Sequence, residues 1–151
     1  MNLTTPNTEA VMGPHERIDL LEKKALISAL WIFNLLNHLF RGLHEIVKAE
    51  FLTEALAGVV GGVEVTEALF LLGGIMIEVP IMMVVLTWVL PLRSNRWANL
   101  IVAPLFGLTL LNQPGDLDDY FHVGIELMAL AIIVWQVWRW GRSPVQAEAT
   151  A

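Results

Sequence analysis

Along the chain, long apolar stretches alternate with short polar ones, and the apolar stretches are too continuous to be the faces of a soluble fold. The clearest is residues 68 to 90, ALFLLGGIMIEVPIMMVVLTWVL. At about 1.5 Å per residue a helix over it reaches about 35 Å, beyond the ~30 Å hydrocarbon core of a bilayer. Its one ionisable side chain, Glu78, falls in mid-run. A carboxylate there costs on the order of 3 kcal/mol on insertion scales, so the pattern predicts that Glu78 faces protein or water.

The same reading along the rest of the chain predicts spans over residues 25–43, 66–90, 97–112 and 120–140. The first has a clean apolar half, ALISALWIF, and a second half broken by Asn34, Asn37, His38 and Arg41. Pro80 kinks the second, because proline lacks the donor for one helical hydrogen bond. The third is short and carries Pro104 and Gly107; the fourth is apolar apart from His122, Glu126, Gln136 and Arg139. Two shorter helices are expected at the membrane surface: HERIDLLEKKA, opened by Gly13-Pro14, and a segment with Val47, Phe51, Leu52, Ala55 and Leu56 at helical spacing, followed by a Gly58 to Gly62 hinge. The predicted fold class is therefore all-α, an integral membrane four-helix bundle with short interfacial helices. Residues 14–142 form one domain between an N-terminal tail, 1–13, and a C-terminal tail, 143–151.

Composition agrees: 56% of the 151 residues are hydrophobic and only 16% charged. A net charge of -6 argues against nucleic acid as a partner, which would need a basic patch. The absence of cysteine excludes disulfide and thiol chemistry. No apolar stretch precedes residue 25, so no cleaved signal peptide is expected and the first span acts as its own anchor. Arg17, Lys23, Lys24, Arg93, Arg96, Arg139 and Arg142 fall on one side of a four-span arrangement, against Lys48 on the other. The positive-inside rule then puts both termini in the cytoplasm and the protein in the cytoplasmic (inner) membrane. Trp88, Trp97, Trp135, Trp138 and Trp140 gather at that same side, as an interfacial aromatic belt does.

At about 100° per residue, Asn34, Asn37, His38, Arg41, His44, Glu45 and Lys48 share one stripe of the first helix. Glu67, Gly74 and Glu78 share a face of the second, and Asp119, His122, Glu126 and Ala129 a face of the fourth. In the four-span arrangement these converge in the outer half, with Asn112 and Gln113 placed to close the ring. The candidate ligand-binding or proton-relay residues are Asn34, His38, Arg41, Glu78, His122 and Glu126. Three readings compete. Arg41 with Glu78 or Glu126 makes a structural pair that holds helices together. The excess of ionisable groups over what cohesion requires suits a small-ligand or proton-handling cavity. His122 and Glu126 at i, i+4, with His38 or His44 opposite, offer a nitrogen and oxygen set for zinc or iron, and a single histidine could ligate a haem or chlorin. Gly73-Gly74 reads as close helix packing, and the outer acids as a solvated face. Nucleotide-binding and serine-hydrolase motifs are absent, so no catalytic residue is nominated and no cofactor is identified.

The segments KKALISALW and TEALFLLGGIMIEVPIMMVVLTWVLPLRSNRWANLIV resemble a family of small bacterial four-span membrane proteins of unknown function, over roughly residues 23 to 140. The resemblance rests on an E-x-P-I-M segment (Glu78, Pro80, Ile81, Met82) and an L-P-x-R-x-N-R-W-x-N turn (Leu90, Pro91, Arg93, Asn95, Arg96, Trp97, Asn99). It extends to the wider group of DoxX-like four-helix membrane proteins, and implies a fold and a location but no activity. One departure is that Asn37, His38 and Arg41 stand where relatives are expected to carry tyrosine and a carboxylate. The expected function is an accessory or oligomerising membrane component, in contact with membrane lipid and with a second copy or a larger complex. The alternative is a cavity protein using Glu78, Arg41, His38, His122 and Glu126.

Overall fold

A computed structural model describes residues 13–111 and 115–140; the tails and Asn112 and Gln113 lie outside the described residues. Among these, the chain forms five helices: α1 (Pro14–Ile46), α2 (Ala49–Leu56), α3 (Glu67–Val89), α4 (Leu92–Leu110) and α5 (Leu117–Arg139). Three of them, α1, α3 and α5, are long and apolar enough to cross a membrane. The four long helices pack in a ring, α1 against α3 and α5, and α4 against α5 and α3.

Three local expectations are corrected. The surface helix at residue 14 and the first span are one continuous helix, so the fold has five helices rather than a four-helix bundle with separate surface pieces. At the junction Lys24 is buried, and its ammonium donates to the carbonyls of Trp88 and Leu90 at 3.4 and 3.3 Å. Those carbonyls belong to the C-terminal end of α3, which leaves acceptors unpaired and favours a cation. Second, the glycine hinge is a two-stranded antiparallel hairpin, Val59–Val60 with Val63–Glu64. Gly61 and Gly62 at its tip have φ of 57° and 78°, the positive pair that a tight right-twisted hairpin turn requires. Third, α4 begins at Leu92 rather than 97 and α5 at Leu117 rather than 120. In α5 a reciprocal cap sets the start: Asp116 accepts from the Asp119 amide at 3.0 Å, and Asp119 accepts from the Asp116 amide at 3.4 Å.

The apolar core runs through Ile27, Trp31, Met83, Phe106, Ile133 and Val137. It fills the half of the bundle where α1 begins and α5 ends. In the other half α3 separates from its neighbours: every residue from 67 to 76 is exposed. Gly73 and Gly74 are consequently not the close-packing positions expected of them, since an added methyl group would meet nothing within 4 Å. That role falls to Gly107, where it would meet Leu127 and Leu130 at 3.4 and 3.5 Å.

Candidate functional site

Polar side chains inside the bundle form two layers, one per half. In the core half, Trp31 Nε1 donates to Asn99 Oδ1 at 2.8 Å, Asn99 Nδ2 to Asn95 Oδ1 at 2.7 Å, and Asn95 Nδ2 to the Thr87 carbonyl at 2.8 Å. Ser28 Oγ adds a bond to the Val84 carbonyl at 3.2 Å. This chain ties α1, α4 and α3 together, and the side chains of Trp31, Asn95, Asn99 and Thr87 are wholly buried. None of the four was expected as a polar contact, although Asn95 and Asn99 are spaced at i, i+4 within one helix.

The second layer lies between α1 and α5. The stripe on α1 holds: Asn34 and Arg41 are buried, and His38, His44 and Lys48 turn toward α5. On α5 the face of Asp119, His122, Glu126 and Ala129 is buried as the spacing implies. Glu126 is the centre. Both its oxygens are wholly enclosed; Arg41 Nε stands 4.0 Å from Oε1 and His38 Nδ1 3.6 Å from Oε2. Arg41 Nη2 donates to His38 Nδ1 at 3.2 Å, so that nitrogen is an acceptor and has no proton to offer the carboxylate. Among the described residues neither oxygen of Glu126 accepts a hydrogen bond, and neither amide atom of wholly buried Asn34 has a partner. Phe106 separates the two layers, with ring centroids 6.3 Å from Trp31 and 5.8 Å from His38.

From this centre the polar seam continues to the end of the bundle. His122 Nδ1 lies 3.2 Å from Asn37 Oδ1, and Asn37 Nδ2 donates to the Phe33 carbonyl at 3.0 Å. His44 Nδ1 is 2.8 Å from Asp118 Oδ2, and His122 Nε2 is 3.7 Å from Asp118 Oδ1. The donor atoms of His44, Asp118 and His122 all lie within 4.8 Å of one another, as do those of Glu45, Asp116 and Asp119. Lys48 bridges Glu45 and Asp116, so the second group already holds a cation. That hydrogen bond keeps the Asp116 carboxyl below its ordinary value of 3.8, and the bonds from Asp116 and Glu45 push Lys48 above the usual lysine range.

Of the expected site residues, Asn34, His38, Arg41, His122 and Glu126 come together in this seam. Glu78 does not. It is exposed on α3, and among the described residues it has neither a hydrogen bond nor an ion pair. The physical reason is the separation of α3 in this half, which leaves Glu78 without a helix to face. The metal set expected from His122, Glu126, His38 and His44 is also changed: His38 and Glu126 belong to the arginine-centred pair, and Asp118 takes the third place beside His44 and His122. Asp118 was counted as a loop acid; the Asp116 to Asp119 cap starts the helix early and brings it one turn from His122.

These features define a helical protein with membrane-length apolar helices and a buried polar seam between its first and last helices. The chain belongs to a family of unknown function, DUF6326, whose pattern matches residues 18–142. No curated protein and no solved structure matches it.

Proposed function

We propose that this is a four-span protein of the bacterial cytoplasmic membrane, termini inside, that binds a small hydrogen-bonding guest between α1 and α5 in its outer half. The observation that carries the reading is the pair of wholly buried side chains, Asn34 and Glu126, whose polar atoms have no hydrogen-bond partner among the described residues. An unpaired buried polar atom costs about 1 to 3 kcal/mol, so such groups persist where something else satisfies them. The guest offers donors to Glu126 and Asn34 Oδ1 and an acceptor to Asn34 Nδ2, as a small polyol, amide or protonated amine does. Arg41 supplies the counter-charge that holds the carboxylate in place.

The fourth span is α4. Its 19 residues reach about 28 Å, and its most polar interior residues, Asn95 and Asn99, are turned inside and bonded rather than presented to lipid. The plan is the one that underlies the resemblance to DoxX-like proteins. Phe106 and the bonded Trp31 layer close the seam from the cytoplasmic side, which favours a binding site over a conduit. Access is from the outer end, past His122 and Asp118.

Native mass spectrometry of gently solubilised protein tests this. The wild type retains a small-molecule adduct that Asn34→Leu and Glu126→Gln both lose while remaining folded. A wild type at its bare sequence mass overturns the reading. Cysteines at Ser94 and Asp118 label from opposite sides of the membrane if four spans are present.

A second reading, an accessory or oligomerising component, is favoured by Glu78. Lipid around a mid-span carboxylate is costly, and the exposed half of α3 offers the face by which a helix of a second copy would cover it. Glu78→Leu then changes the size of the complex in detergent without unfolding the chain.

A further inference from the structure

We infer that His44, Asp118 and His122 form a binding site for one divalent transition-metal ion of the zinc class at the outer end of the seam. It is independent of the guest site at Glu126. The argument begins with Asn37. Its Nδ2 donates to the Phe33 carbonyl, which fixes the amide with Oδ1 toward His122. That oxygen can only accept, so His122 Nδ1 carries a proton and Nε2 is the ring nitrogen available to a metal ion. Nε2 lies 3.7 Å from Asp118 Oδ1. A metal ion placed there is held by both groups, in competition with a proton on Nε2.

His44 completes the set from α1, its Nδ1 at 2.8 Å from the other oxygen of the same carboxylate. Ligand atoms about 2.0 to 2.2 Å from a tetrahedral zinc are about 3.4 Å apart. The observed separations, 2.8 Å to Asp118 Oδ2 and 3.7 Å to Oδ1, lie on either side of that distance, and the ligand atoms of all three residues lie within 4.8 Å of one another, so an ion is accommodated by adjustment of the partly exposed His44 and Asp118 side chains. Phe40 packs edge-on against His44 with ring centroids 4.7 Å apart, and Phe121 against His122 at 5.6 Å, which steadies both imidazoles. The Asn37 contact is the supporting hydrogen bond that metal-bound histidine usually makes through its second nitrogen.

Two nitrogens and one carboxylate suit zinc, iron(II), cobalt(II) or nickel(II), whereas magnesium and calcium prefer all-oxygen shells. The carboxylate and His44 are both partly exposed, so water has access to the remaining coordination positions.

The test is titration of Zn2+ into the untagged full-length chain in detergent, after chelator treatment, with Co2+ as a spectroscopic probe. We expect one ion per chain, visible Co2+ absorption of a low-coordinate site, and no competition from excess Mg2+. Asp118→Asn and His44→Asn abolish the absorption. Asn37→Leu keeps all three ligands and weakens binding by about 10- to 100-fold. His15→Asn, on the far exposed end of α1, and Glu126→Gln bind as the wild type does. Asp118 is partly exposed in the first turn of α5, so its variant folds; circular dichroism confirms that. A wild type that takes up no Zn2+, or an Asp118→Asn chain that binds as tightly as the wild type, overturns the site.

Discussion

The two polar layers of this bundle lie in opposite halves, both contain wholly buried asparagine, and they behave oppositely. In the layer around Trp31, each polar side chain gives or takes a hydrogen bond from a neighbour: Trp31, Asn99, Asn95 and the Thr87 carbonyl form one chain. In the layer around Glu126, ionisable and amide groups are equally buried, yet Asn34 and both carboxylate oxygens accept and donate nothing among the described residues. Burial alone therefore does not distinguish a structural polar network from a binding site. Satisfaction does, because a buried polar group that costs stability is kept when something outside the fold completes it.

The comparison is broken most forcefully at Arg41. Arg41→Met leaves the Glu126 carboxylate buried without its counter-charge and is expected to cost about 3 to 5 kcal/mol, read as a fall in thermal midpoint in detergent. Adding Glu126→Gln restores most of that loss. Absence of rescue means that Arg41 acts on something other than Glu126.

A sharper contrast sets one asparagine against another. Asn99→Leu orphans the Trp31 indole donor and Asn95 Oδ1, each worth about 1 to 3 kcal/mol, and is expected to destabilise clearly. Asn34→Leu, at an equally buried position, orphans no described partner, so thermal unfolding should be unchanged or slightly improved. Equal losses at the two sites would erase the distinction between the layers.

The smallest effect is at the solvent end. The Lys48 hydrogen bond holds the Asp116 carboxyl below its ordinary 3.8, so the folded state binds that proton less readily than the unfolded one. The contribution is full above the ordinary carboxylate range and fades as pH falls through it. Lys48→Gln should flatten this part of the stability-against-pH curve, with only a minor change near neutrality because the pair is exposed.

Much of this site was legible before any coordinates. The stripe from Asn34 to Lys48 and the face of His122 and Glu126 follow from helical periodicity, which depends only on local geometry. Asp118 was missed because a cap, a matter of two side chains and two amides, moved the helix start. The anchoring of Lys24 was not legible because its partners, the carbonyls of Trp88 and Leu90, are distant in sequence.

By itself the sequence determined what depends on neighbours along the chain: apolar stretches of membrane length, the faces of α1 and α5, and the excess of basic residues at one end. The tertiary structure alone decided what depends on which helices meet. It placed Glu78 outside the bundle and Glu126 at its centre, although both are carboxylates within long apolar runs. The reason is that periodicity fixes where a side chain points around its own helix axis, whereas the separation of α3 from its neighbours decides whether anything stands there to receive it.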